Sequence, residues 1–296
     1  MSYKLCLISL ALAPMITCAA QACPQYDAVI TAVQAGDAAN ATQLHEVIAV
    51  SAECDDALRE WVGDYLARAS FMKAMDASAP ELRRASLMRA LKFEKHWRSY
   101  AELGRLDWQL KDYSAAAKHL QLAINELSEG DQGHPAETSE IADIYQMASA
   151  SLALADGVVT MPKTRSGTPG GVLKTAIRGF TIEEVNLPIT FRYNSTEFDQ
   201  AGETYAGVLA EHLTALGASS VVLGGHTDPV GGEAFNMDLS LARAEALSDY
   251  LKTNGFDGTI KVEGHGESQM PSPPAGVDEG SDEHHRIARR VAFSTE

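Results

Sequence analysis

The hydrophobic residues of this chain obey one period before residue 157 and another after residue 171. The interval between them, Met161-Pro162-Lys163-Thr164-Arg165-Ser166-Gly167-Thr168-Pro169-Gly170-Gly171, sets two prolines and three glycines among polar residues. Such a stretch continues neither a helix nor a strand. Upstream, Val29, Ile30 and Val33 lie on one helical face, Gly36-Asp37 interrupts, and Leu44, Val47 and Ile48 resume. Leu58, Trp61, Val62, Tyr65, Leu66, Ala69 and Met72 then keep helical spacing up to Asp76 and Pro80. Downstream, short β-branched runs alternate with amphipathic stretches. The pattern predicts an all-helical part over 23–156, a linker over 157–180 and an α/β domain over 181–296.

Within the helical part the clearest unit is 100–124. It resembles the tetratricopeptide repeat (TPR): Leu103-Gly104 stands where a small residue lets two helices approach, and Tyr113 follows a turn at Lys111-Asp112. Ala116, Leu120 and Ala123 lie on the second helix, and Leu87 and Ala90 hold the places of Leu120 and Ala123 thirty-three residues earlier. Residues 139–156 make a further partial unit. Stacked helix pairs would leave a concave face for a protein partner; a plain helical bundle fits the same apolar stripes.

Over 181–296 the expected elements are a strand at 187–191 opening with Pro188, a helix at 201–216, a strand at 219–223, a helix at 237–253 and strands at 259–262 and 287–293. Helices packed on one sheet follow, a βαβαβ sandwich. Residues 270–282, rich in Pro, Gly and acid, read as a long loop.

The first 22 residues read as a secretory signal: Lys4 precedes an apolar stretch over 5–16, and Ala20-Gln21-Ala22 fits the cleavage pattern. That stretch is too short to span a bilayer, and no later one reaches the ~20 residues required. No transmembrane span is expected, nor a porin, since no barrel-length set of strands precedes the α/β domain. Of four cysteines, Cys6 and Cys18 leave with the signal. Cys23 and Cys54 remain as a pair in an oxidising compartment, where a disulfide closing about 30 residues stabilises by roughly 3 to 4 kcal/mol in the loop-entropy model. Acylation at the cleavage site is the rival use of Cys23, and the Leu usual three residues before such a cysteine is missing. The formal net charge is −16, which repels phosphate backbones and disfavours nucleic acid as a partner.

The chemistry concentrates in an ordered set of motifs: Gly225-His226-Thr227-Asp228-Pro229-Val230-Gly231, then Asn236-Met237-Asp238-Leu239-Ser240-Leu241-Ala242-Arg243-Ala244, then Gly264-His265-Gly266 and Arg289-Arg290-Val291. Asp228 follows a buried strand on a glycine-rich turn, Asn236 is placed to cap the next helix, and Arg243 lies two turns in. An anion and a cation facing one groove suit a zwitterionic ligand, and the guanidinium fork holds a carboxylate through two parallel hydrogen bonds.

Over about 185–294 these motifs closely resemble the OmpA-like peptidoglycan-binding domain found in proteins of the OmpA, Pal and MotB type. The resemblance implies a non-catalytic protein that needs no cofactor or metal and holds the free end of meso-diaminopimelate in the peptidoglycan stem peptide. It puts Asp228 on the ammonium and Arg243 on the carboxylate, with Asn236 and Thr227 adding polar contacts and Arg289 bordering the pocket. It implies a periplasmic, cell-wall-associated location, at or near the outer membrane of a Gram-negative envelope. Ala288 departs from the family's Asn before the Arg-Arg-Val run.

Each residue also has a structural reading. Asp228 suits a turn, binding local N–H groups; Arg243 could pair with Asp238 or Glu245; His226 and Thr227 fit a strand end. An adaptor that docks proteins through its helices and uses the α/β domain only as an anchor is an alternative. A zinc hydrolase built on His226, Asp228, His265, His284 and His285 is a minor one, since no HExxH pair supports it. Ser70-Phe71-Met72-Lys73 matches an SxxK motif without the SDN or KTG that would accompany it.

Overall fold

The computed structural model describes residues 23–129, 136–177 and 180–295. The signal segment 1–22 lies outside the described residues. The chain divides into two compact units, one ending at Ser99 and the other beginning at Tyr100.

The first unit is helical: α1 (Tyr26–Gln34), α2 (Ala38–Ala49), α3 (Asp56–Asp76) and α4 (Pro80–Phe93). Local chemistry marks the starts of α2, α3 and α4. Asp37 accepts a hydrogen bond from Asn40 N at 3.0 Å, Asp55 accepts one from Leu58 N at 2.8 Å, and Pro80 opens α4 where its missing N–H costs nothing. α3 packs on both α2 and α4, around a core that includes Val29, Ile48, Leu58 and Val62. Cys23 and Cys54 form a disulfide at the edge of that core. Leu87 and Ala90 are fully buried on α4.

α5 (Trp97–Gln109) runs into the second unit, followed by α6 (Tyr113–Glu129) and α7 (Thr138–Leu154). At Gly104 a Cβ would lie 2.5 Å from Leu120 Cγ, so only glycine permits this approach of α5 to α6. The Pro/Gly-rich stretch lies inside this unit, and it is packed: Val172 and Leu173, in a 3-10 turn (Gly171–Leu173), are buried. Asn125 on α6 takes Gly171 N at 2.8 Å and donates to Lys163 O at 3.1 Å. A Cβ on Gly170 would lie 2.3 Å from Asn125 Oδ1. The glycines that mark a linker in the sequence thus let backbone press against a helix.

A two-stranded antiparallel pair, β1 (Ala176–Ile177) and β2 (Phe180–Thr181), leads to a four-stranded mixed sheet. Its elements in chain order are β3 (Val185–Leu187), α8 (Gln200–Leu216), β4 (Ser220–Gly225), α9 (Glu233–Thr253), β5 (Thr259–Gly264), α10 (Asp282–Ala288) and β6 (Val291–Thr295). The strand order is β3-β6-β4-β5, with β4 and β5 parallel and β6 antiparallel to both its neighbours. α9 packs on β4 and β5.

Three details differ from the sequence expectation. The first strand ends at Leu187, before Pro188, on a sheet edge. α9 begins at Glu233 with Gly232 as its cap, so Asn236 sits in the first turn rather than capping it. The expected βαβαβ order gains α10, started by Ser281, whose hydroxyl accepts from His284 N at 3.2 Å. The last strand accordingly begins at Val291 rather than 287.

Candidate functional site

Because β4 and β5 are parallel, their C-terminal ends lie side by side, with Gly225 in register with Gly264. The chain leaves both ends as loops tied to each other and to β6. His265 N donates to Gly225 O (3.0 Å), Thr227 N to Gly266 O (2.9 Å) and His226 N to Arg290 O (3.1 Å). The C-terminal ends of parallel strands are where open α/β sheets commonly bind ligands. Here they bring Thr227 and Asp228 beside the first turn of α9.

Asp228 is nearly buried, at 9% relative exposure. Its Oδ1 accepts Val230 N at 3.0 Å, the local turn bond anticipated for it, and its Oδ2 pairs closely with Arg289 Nη1. Each oxygen keeps a lone pair for a further donor. Asn236 is buried and spends its Nδ2 on Asp228 O (3.2 Å), Val230 O (3.4 Å) and Glu267 Oε2 (2.6 Å). Its role is therefore to hold the Asp228 loop against the Gly264-His265-Gly266 turn. Glu267 belongs to none of the motifs, and its place directly after that turn is the one signal in the sequence that leads to it.

Arg243 projects from α9 beneath an arch formed by the β3–α8 connection. Arg192 N donates to Glu197 O at 2.8 Å, Phe191 bridges Phe198 across the arch, and their rings stack with centroids 4.8 Å apart. The Arg243 guanidinium lies over the Phe191 ring at 5.1 Å, and its Nε donates to Ser195 O at 3.3 Å. Its terminal nitrogens bond no described residue, and it pairs with neither Asp238 nor Glu245. Burial lowers its pKa, the like charge of Arg289 acts in the same direction, and the Asp228 carboxylate opposes both. The two groups expected to act together thus share one electrostatic neighbourhood, in which Arg289 pairs with Asp228 and opposes the Arg243 charge.

Thr227 Oγ1 and both ring nitrogens of His226 are buried without a hydrogen-bond partner among the described residues. His226 lies against the His265 ring, centroids 4.9 Å apart. Burial, with Arg290 and His265 adding repulsion, pushes its pKa down to about 3, so it is neutral at pH 7. The unfolded chain, with an ordinary value of 6.5, binds the extra proton between those limits, and stability falls as pH drops from about 6.5 toward 3. His226 alone should remove about 2 kcal/mol between pH 7 and pH 5. Urea titrations at the two pH values are expected to show that increment vanish in His226→Phe, while His45 and His212, also lowered by burial, leave a residual slope. An unchanged pH dependence in the variant would contradict this assignment.

The zinc alternative finds no support in the geometry: among the described residues no three His, Cys, Asp or Glu side chains gather to hold a metal ion. His284 has both ring nitrogens engaged, with Gly280 N at 3.0 Å and Pro271 O at 2.7 Å.

The module is a mixed α/β domain with a four-stranded sheet and charged side chains in the loop after β4. Residues 190–281 match the model of the OmpA family, so the chain carries an OmpA-family domain there. It is 34% identical over 83 residues to outer membrane protein A of Shimwellia blattae, which is 27% of this chain and 34% of that protein. It is 32% identical over 119 residues to outer membrane porin F of Pseudomonas aeruginosa, 39% of this chain and 32% of that one. The chain spans about a third of the length of the curated relatives it matches. Among solved structures, the peptidoglycan-associated lipoprotein from Burkholderia pseudomallei aligns at 21% identity with a TM-score of 0.30, covering 39% of this chain and 91% of that one. Among the described residues no helix is long and apolar enough to cross a membrane.

Proposed function

We propose that this protein is a non-catalytic cell-wall-binding protein that holds the free end of meso-diaminopimelate in peptidoglycan stem peptides. The ligand's ammonium sits on Asp228 and its carboxylate on the terminal nitrogens of Arg243. The observation that carries this reading is the state of Arg243: Nε is fixed on Ser195 O and one face is laid on Phe191, which leaves its two terminal nitrogens unused among the described residues. A fork held in that way is pre-organised for a planar anion. Asp228, a few residues past β4, supplies the opposite charge, and the OmpA-family match over 190–281 agrees with the ligand class. Asn236 and Thr227 shape the pocket floor, and Arg289, paired with Asp228 Oδ2, orients that carboxylate.

In this reading residues 1–22 are a secretory signal and the mature chain works in the periplasm against the wall. The helices carry a TPR-like partner surface. Gly104 packed on Leu120, and Leu87 and Ala90 buried thirty-three residues before Leu120 and Ala123, support that finer assignment. The decisive measurement is calorimetric titration of the whole chain with a diaminopimelate stem peptide and with its lysine analogue, which lacks the distal carboxylate. Tenfold or greater preference for the former is expected; equal affinities would refute the Arg243 contact.

A further inference from the structure

We propose that Glu283 is a positioning residue for the Asp228–Arg289 pair, through which the turn between α5 and α6 becomes part of the wall-binding site. The inference rests on the stem-peptide reading of that site. α10 is short, and Arg289 follows its last residue directly. Wherever α10 sits, Arg289 emerges, and Arg289 is the side chain that meets Asp228 Oδ2.

α10 is held by the helical layer of its own unit. Glu283 Oε1 accepts both Tyr113 Oη at 2.8 Å and Lys111 Nζ at 3.0 Å. Arg286, one turn on, donates to Ala153 O at 3.3 Å and Ala155 O at 3.2 Å at the end of α7. The segment leading into α10 is tied down too, since Trp108 Nε1 donates to Ala275 O at 2.8 Å. Trp108 and Tyr113 meet edge to face, centroids 5.1 Å apart, so the groups that hold α10 also hold one another.

Two features mark this contact as more than an incidental surface pair. Lys111 adopts a φ of 58°, a left-handed conformation that a lysine holds only where its surroundings impose it. That conformation belongs to the turn that presents both Lys111 and Tyr113 to one carboxylate oxygen. The half-exposed ammonium adds little by itself; the phenol, with a pKa raised to about 12 by burial and by its bond to Glu283, stays a donor at any working pH. Those same two hydrogen bonds, with Arg286 nearby, hold the Glu283 carboxyl below the usual range. The carboxylate is thus a fixed acceptor through which α6 sets the height of α10.

The test is a double-mutant cycle in the full chain, read by calorimetry with the diaminopimelate stem peptide. Glu283→Ala is expected to weaken binding three- to tenfold in the Arg289 background and by less than twofold in the Arg289→Ala background. Glu283→Gln, which keeps a carbonyl acceptor for Tyr113, should restore most of the affinity. Tyr113→Phe, a milder change suited to the case where Glu283→Ala folds poorly, should weaken binding about twofold with the same dependence on Arg289. An equal loss in both backgrounds, or no loss in either, overturns the proposal. If Arg243→Ala, measured beside the cycle with the same peptide, leaves the affinity intact, the stem-peptide reading itself has failed, a result distinct from either outcome of the cycle.

Discussion

Arg243→Ala should bind the diaminopimelate stem peptide at least thirty-fold more weakly than the unaltered chain, measured calorimetrically on folded protein. The size of the loss follows from what the side chain leaves behind. A ligand carboxylate brought under the arch over Phe191 loses its water and finds no donor, a cost of about 2 to 5 kcal/mol for truncating one member of a desolvated charge pair. Arg243→Lys should recover only part of it. An ammonium offers a point charge where the fork offered two parallel bonds, and it can keep neither the bond to Ser195 O nor the stacking on Phe191. The penalty should be specific to the ligand group as well as to the residue. With the lysine-containing peptide, Arg243→Ala is expected to cost less than threefold, because the carboxylate it serves is absent. Asp228→Ala should weaken both peptides, since both carry the ammonium, and it would strand Arg289 facing Arg243. Retention of wild-type affinity by Arg243→Ala, or the same loss with both peptides, would remove the basis of the assignment.

The parts of this site differ in how readable they are from residues alone. Asp228 and Arg243 stand in motifs whose order and spacing can be read directly, and the parallel pairing of β4 with β5 brings the loops that follow both strands together. The helices at 200–216 and 113–129 follow apolar spacing and fall where the spacing puts them. Asn236 misleads because its residue type favours helix caps. Its amide instead spans three acceptors from two loops, and no local pattern encodes that. α10 is seven residues of mostly charged and imidazole side chains, too short for an apolar period to register. The packed course of 157–177 is hidden for a different reason: glycine signals a turn and a close approach equally well, and only the tertiary partner, Asn125 or Gln121, decides which. Contacts such as Trp108 to Ala275, 167 residues apart, have no sequence signature at all.

The second large effect concerns Gly225, which looks like the opening residue of a binding motif and acts as a packing contact. A Cβ there would lie 2.1 Å from Ser240 O and 2.9 Å from Ser240 C, both backbone atoms of α9. Gly264, opposite it in register, meets the same helical turn, with Leu241 N at 2.9 Å from its would-be Cβ. The two glycines flatten adjacent strands so that α9 can lie directly on the sheet. Gly225→Ala must push the helix away, and overpacking of that kind costs about 3 kcal/mol, equivalent to a fall of roughly 6 to 12 °C in melting temperature for a unit of this size. Stem-peptide affinity should fall with it, because Asn236 and Arg243 ride on α9 one turn to either side of Ser240. Gly232→Ala is the control: nothing lies within 4 Å of its would-be Cβ, and only the weaker capping preference of alanine should register, at under about 1 kcal/mol. A Gly225→Ala variant that melts within about 2 °C of the parent, where overpacking predicts several times that, would show that the helix does not depend on this contact. A variant that melts early yet binds normally would show that the strand-end loops, and not the seating of α9, set the separation of the two charges.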